Sequence, residues 1–175
     1  DLALRGLSVV LFEQGELTSG TTGRHHGQLH SGARYAVGDR AIARECMEET
    51  LILRRIVPEA IEYNGGVFVA VDDEGAEYAP RFVAACNEAG IPAREVSVAE
   101  ARGWEPAIHP GARRTVWVPD GSFDAFRVHL AFAAAARALG ADIRPFTKVT
   151  GVEVAGGRAR AVRVVPAAAV PDAPR

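Results

Sequence analysis

The chain has 175 residues, a formal charge of −2 and 48% hydrophobic residues, enough for one domain or parts of two, and its near neutrality gives no electrostatic footprint for nucleic acid. The longest apolar runs, such as 128–136, fall short of the ~20 residues that a membrane span requires. Cys46 and Cys86 both fall in helical patterns, which argues against a disulfide framework and for a reducing, cytoplasmic setting.

Taken in order, the chain opens on what reads as the end of a helix stopped by Gly6. A short apolar run follows, Leu7 to Phe12 with Ser8 as its one polar residue, of the kind expected for a parallel strand covered on both faces. Glu13 stands at the strand's tip. In a dinucleotide-binding βαβ unit an acid there accepts hydrogen bonds from the adenosine ribose hydroxyls. The glycine fingerprint that belongs with such an acid would precede the first residues, so the chain is expected to begin inside a nucleotide fold.

Further on, Asp39 can cap a helix running to about Val57, with Ile42, Cys46 or Met47, Leu53 and Ile56 along its inner side. Asn64-Gly65-Gly66 reads as a turn and Val67 to Val71 as a strand, closed in solvent by Asp72-Asp73-Glu74. A second helix spans Pro80 to Ala89 and stops at Gly90. Ser97 and Glu100 form a capping-box pattern that starts a short helix through Arg102. Arg114 to Val118 reads as a strand and Pro119-Asp120-Gly121 as a tight turn. These elements suggest a mixed sheet with helices on one side.

Asp124 can cap a last long helix ending at Leu139 and Gly140, followed by a strand from Asp142 to Phe146. That spacing is the spacing of another βα repeat. Residues 151 to 165 alternate around Gly156-Gly157 as a β-hairpin does. From Pro166 the alanine- and proline-rich composition suggests a disordered or truncated tail.

One stretch resists explanation as packing. Gly20 to Tyr35 holds four glycines, three histidines, two arginines and three Ser/Thr hydroxyls, but Leu29 is its single large aliphatic, so it cannot justify itself as core. It directly follows the ribose acid. Its small residues would let backbone N–H groups approach a pyrophosphate and ring, with Thr21 and Thr22 adding hydroxyl contacts. A metal site is not expected from His25, His26 and His30, because no cysteine is near and no acid lies between Glu16 and Asp39. Arg34 offers a planar fork of donors suited to a phosphate monoester. Trp104 and Trp117 read as packing residues, and Asp120-Gly121 as a turn rather than a catalytic acid.

The run from Asp1 to Glu13 and the block Thr-Thr-Gly-Arg-His-His-Gly-Gln-Leu-His-Ser-Gly-Ala-Arg-Tyr-Ala at 21–36 resemble the FAD-dependent glycerol-3-phosphate dehydrogenases, most closely the large catalytic chain of the anaerobic type. Ala43-Arg-Glu-Cys46, Asn64-Gly-Gly-Val-Phe68, Glu105-Pro106, Val118-Pro-Asp-Gly121 and Lys148-Val-Thr-Gly151 extend the likeness to about Val165. The resemblance implies an α/β chain: part of a FAD-binding Rossmann-like fold interrupted by part of an α+β substrate domain, in a D-amino-acid-oxidase-like architecture. The expected division is 1–38 and 124–165 for the FAD-binding parts, 39–123 for the substrate part and 166–175 for the tail.

The same resemblance implies that His26, Gly27, Gln28 and Leu29 lie beside the flavin, while Glu13, Thr21 and Thr22 keep the ribose and hydroxyl contacts read above. Val149 would contact the adenine through its backbone. His30 falls on the substrate side of the ring as the candidate base, since histidine exchanges protons near neutral pH, and Arg34 and Tyr35 contact substrate. His25 departs from the family's usual asparagine. The implied reaction is oxidation of sn-glycerol 3-phosphate to dihydroxyacetone phosphate, with electrons passed to a quinone through partner subunits, in the cytoplasm or at the inner face of the membrane. The alternatives are a related FAD oxidoreductase acting on a 2-hydroxy acid or amino acid, and a non-catalytic assembly module.

Overall fold

The computed structural model describes residues 1–167. The strands are β1 (Val10–Phe12), β2 (Gln28–Leu29), β3 (Ile61–Glu62), β4 (Gly66–Ala70), β5 (Arg94–Val96), β6 (Arg114–Val118), β7 (Gly121–Phe123), β8 (Asp142–Arg144), β9 (Thr147–Ala155) and β10 (Arg158–Pro166). The helices are α1 (Arg40–Ile56), α2 (Asp73–Glu88), α3 (Val98–Trp104) and α4 (Ala125–Ala138), with short 3-10 turns at Thr21–Gly23, Ala33–Tyr35 and Pro58–Ala60. They divide into two compact units, residues 1–26 with 125 onward, and residues 27–124. Residues 27–38, grouped with the FAD-binding part on sequence, belong to the second unit because β2 pairs with β7 and the Ala33–Tyr35 turn packs on α1.

In the first unit β1 and β8 pair in parallel, Val10 opposite Asp142 and Phe12 opposite Arg144. Parallel pairing follows from the connection through α4, which returns the chain to the same end. The strand is not covered on both faces as its apolar run suggests: Val10 and Leu11 are exposed, since β8 is its one paired neighbour among the described residues. The opening residues form turns rather than a helix end, with Arg5 N–H donating to Asp1 O at 3.0 Å and Gly6 at φ +78°. Strand β8 stops at Arg144, short of Phe146, which takes a left-handed φ of +53°.

The β9–β10 hairpin is antiparallel, Arg158 opposite Ala155 and Val162 opposite Val152. Both residues of its two-residue turn, Gly156 and Gly157, have positive φ, the type I′ geometry that matches strand twist. The hairpin begins at Thr147 and reaches Pro166, so the expected tail starts later than composition suggests; its remaining residues, 168–175, lie outside the described residues.

The second unit holds the hydrophobic core. Met47 of α1, Phe82 and Cys86 of α2, Ile91, and Val116 and Val118 of β6 pack with Ala33 and Ala36. Sequence patterning is realised closely for α1, whose Asp39 carboxylate accepts from Ile42 N–H at 3.0 Å. The inner face of α1 differs: Ala43, Met47 and Thr50 are buried while Ile42 and Ile56 are exposed. Asp72 does not close a strand in solvent; its side chain accepts from Gly75 N–H at 2.8 Å and starts α2, leaving Pro80 inside the helix. Acids in a first turn favour the positive end of the helix dipole, so Asp72-Asp73-Glu74 is a helix start.

Strand order β4-β6-β5 is antiparallel throughout, as is β2-β7-β3. The mixed sheet expected from element order is therefore absent among the described residues of this unit, because the intervening helices do not bring neighbouring strands back in the same direction. Ser97 caps α3 as expected, with Glu100 N–H donating to its hydroxyl at 3.1 Å. No helix among the described residues is long and apolar enough to cross a membrane.

Candidate active site

In the second unit, β2 brings the glycine- and histidine-rich stretch to the edge of β7, with Gln28 opposite Ser122 and Leu29 opposite Gly121. Leu29 is buried and anchors the pair. Gly121 is required here, since a Cβ would sit 2.6 Å from the Glu62 carbonyl oxygen of the next strand. His30 leaves β2 beside Asp120, which precedes β7, and its Nδ1 lies 3.0 Å from Asp120 Oδ2. The other carboxylate oxygen accepts from Ser31 N–H at 2.8 Å and from the Ser31 hydroxyl at 2.5 Å.

His30 and Asp120 line a cavity of about 270 Å³ with Gln28, Asn64, Gly65, Gly66, Val67, Phe68, Gly121 and Ser122. Asn64 Nδ2 donates to Ser122 Oγ at 2.9 Å. The cavity is polar on the side of β2 and β7, so it suits a small hydroxylated molecule beside an imidazole. Sequence places Asp120 in a tight turn; it instead lies between β6 and β7 with no turn assigned, and its carboxylate organises His30 and Ser31. Its partners lie 89 and 90 positions away, so no local pattern marks it.

Arg34 and Tyr35 sit in the 3-10 turn after Gly32, which has φ +91°. Both side chains are exposed, and the guanidinium carbon lies 5.6 Å from the Tyr35 ring centroid. Arg34 lines a different cavity from His30, about 250 Å³ in volume, with Phe68, Tyr78, Phe82 and Arg114 on its walls. Phe68 borders both. Arg34 makes no ion pair with a carboxylate among the described residues.

In the first unit Glu13 continues the β1 ladder, its N–H donating to Arg144 O at 3.1 Å and its carbonyl accepting from Thr147 N–H at 2.8 Å. Its Oε1 accepts from Gly15 N–H at 2.7 Å. Glu13, Gln14, Gly15, Ser19, Gly20, Arg24 and Ala167 line a cavity of about 530 Å³. Thr21 and Thr22 occupy the 3-10 turn beyond it, and His26 is exposed with its ring 6.4 Å from that of His25. Val149 lies in β9 opposite Val164, away from this cavity's lining. Among the described residues no cluster of three His, Cys, Asp or Glu side chains could hold a metal ion.

Over 94% of its length the chain is 48% identical to a subunit of the anaerobic glycerol-3-phosphate dehydrogenase of Haloferax volcanii, and over the same share 43% identical to one from the Escherichia coli K12 enzyme of that name. It spans 28% and 30% of those proteins. Among solved structures it resembles L-proline dehydrogenase from P. horikoshii, with a TM-score of 0.82 and 25% identity over 93% of this chain and 44% of that one. The fold is thus that of D-amino-acid-oxidase-like flavoproteins. With residues 1–171 matched by the family model described as FAD dependent oxidoreductase, the chain belongs to that family.

Proposed function

We propose that the protein oxidises sn-glycerol 3-phosphate to dihydroxyacetone phosphate with FAD, and that the electrons pass through partner subunits to a quinone. The observation that carries this reading is the placement of His30 beside Asp120 in a small polar cavity, on the same Leu29–Tyr35 block that resembles the glycerol-3-phosphate dehydrogenases. The names of the relatives from Haloferax volcanii and Escherichia coli support the substrate, and their description as subunits supports further chains.

The residues present fit FAD in part. In the first unit, Glu13 Oε1 is engaged by Gly15 N–H, which leaves its other oxygen for ribose hydroxyls, and Gly20 has nothing within 4 Å of where a Cβ would stand. That open backbone beside the Glu13 cavity suits the close approach of a nucleotide. Glu13, Thr21, Thr22, His26 and the Val149 backbone would hold the cofactor in this unit. We assign the first unit to FAD binding and the second to substrate. FAD, when bound, supplies the acceptor for the hydride that leaves C2.

The chain's own residues then have three tasks. His30 takes the proton of the C2 hydroxyl as the hydride departs. Arg34, exposed and without a carboxylate partner among the described residues, donates to the phosphate, with Tyr35 beside it. The walls of the His30 cavity orient the alcohol. Handing electrons to a lipid-phase quinone would place the assembly at the inner face of the cell membrane.

A second reading is oxidation of an amino acid or 2-hydroxy acid, favoured by the likeness to L-proline dehydrogenase. It needs no phosphate site. Steady-state assay of the full-length protein with a dye acceptor separates the two. Turnover with sn-glycerol 3-phosphate and none with proline or lactate is expected; the reverse preference would establish the second reading.

A further inference from the structure

We infer that Asp120 is the positioning residue for His30, fixing which ring nitrogen is left to receive the substrate proton; this rests on the reading of His30 as proton acceptor. A carboxylate can only accept hydrogen bonds. Asp120 Oδ1 is committed to Ser31 N–H, an obligatory donor, and to the Ser31 hydroxyl, and Oδ2 faces His30 Nδ1 at 3.0 Å. His30 Nδ1 must therefore carry the hydrogen. In the neutral ring the lone pair then resides on Nε2, which becomes the proton acceptor.

The arrangement is held from behind by one helix. Thr50, buried on α1, donates from Oγ1 to the His30 carbonyl at 3.0 Å, and Arg54 Nη2 donates to the Pro119 carbonyl at 2.6 Å. Thr50 and Arg54 are four residues apart and so share a helix face, which ties the backbones that carry both members of the pair. Ser31 is fully buried and Asp120 largely so, whereas the His30 ring keeps a third of its surface open. The carboxylate is thus fixed and the imidazole accessible. During the reaction the O–H bond of the C2 hydroxyl breaks and an N–H bond forms at Nε2, and FAD, when bound, would supply the acceptor for the C2 hydride. The resulting imidazolium is stabilised by the Asp120 charge it already faces.

Asp120→Asn inverts this logic. Its amide oxygen must stay with Ser31 N–H, so its NH₂ turns to His30 Nδ1 and forces the hydrogen onto Nε2. The experiment is ¹⁵N NMR of the full-length protein labelled at histidine, with the His30 signal identified by its loss in His30→Gln, alongside kcat and KM for glycerol 3-phosphate. Wild type should show the hydrogen on Nδ1 and D120N on Nε2. For D120N, kcat should fall by about 10- to 1,000-fold with KM changed less than about threefold. A wild-type His30 protonated on Nε2, or no change of tautomer in D120N, overturns Asp120's role. The wild-type spectrum decides even if D120N does not fold. A tautomer switch with kcat unchanged overturns instead the assignment of His30 as the base, and the catalytic role of Asp120 with it.

Discussion

His30, Arg34 and Asp120 illustrate how differently single residues announce themselves. The first two stand in a polar, glycine-rich block that packing cannot explain, so residue type and setting expose them. Asp120 stands in Pro-Asp-Gly, a sequence with every local mark of a turn, and only the pairing of β2 with β7 brings it to His30. Replacing His30 by Gln should lower kcat for glycerol 3-phosphate by about 100-fold or more while flavin content is retained. Arg34→Ala should act on KM instead, raising it by about 10- to 100-fold, the worth of a charge-assisted hydrogen bond. Unchanged KM in Arg34→Ala would leave that guanidinium in the Phe68–Phe82 cleft with no part in substrate binding.

Cys86 carries a different kind of prediction. Burial first, and the Asp120 charge second, push its thiol from 9.0 to about 11. The folded state therefore resists an ionisation that the unfolded chain undergoes at lower pH. The stability this contributes is complete below pH 9 and is lost as pH rises toward 11. Thermal midpoints measured across that window should decline in wild type and less steeply in Cys86→Ala.

Among the elements, those with explicit caps are legible in the sequence. Asp39 and Ser97 mark α1 and α3 because an Asp or Ser side chain satisfies an amide that would otherwise lack a partner. The start of α2 is hidden because Asp72-Asp73-Glu74 resembles a solvated loop and Pro80 resembles a first helical residue. Sheet type is illegible from element order alone, since direction of return depends on tertiary packing. Gly32 is the element-scale test. At φ +91°, with a Cβ position 2.6 Å from the Ala43 carbonyl oxygen and 2.6 Å from Cys46 Cβ, it allows the Arg34 turn to lie directly on α1. Gly32→Ala should cost about 1–3 kcal/mol in chemical denaturation, through both backbone strain and overpacking. A change within about 0.5 kcal/mol would contradict that close approach.

At the scale of the chain, the hydrophobic core lies in the second unit, while Leu2, Leu4, Leu7, Val10, Leu11, Phe126 and Leu130 of the first are exposed. The continuous apolar run of β1 reveals a strand but not how many neighbours cover it. Two-stranded sheets are marginal alone. Hydrogen exchange on the isolated 175 residues should therefore find amides of 27–124 protected longest and those of β1 and β8 exchanging early. The chain spans 28 to 30% of the relatives from Haloferax volcanii and Escherichia coli, so the decisive measurement belongs to the full-length protein. Under anaerobic conditions, adding sn-glycerol 3-phosphate should bleach the visible flavin absorbance rapidly, and His30→Gln should slow that bleaching by about 100-fold or more. Flavin that stays oxidised with glycerol 3-phosphate but bleaches with an amino acid or 2-hydroxy acid would contradict the proposed activity.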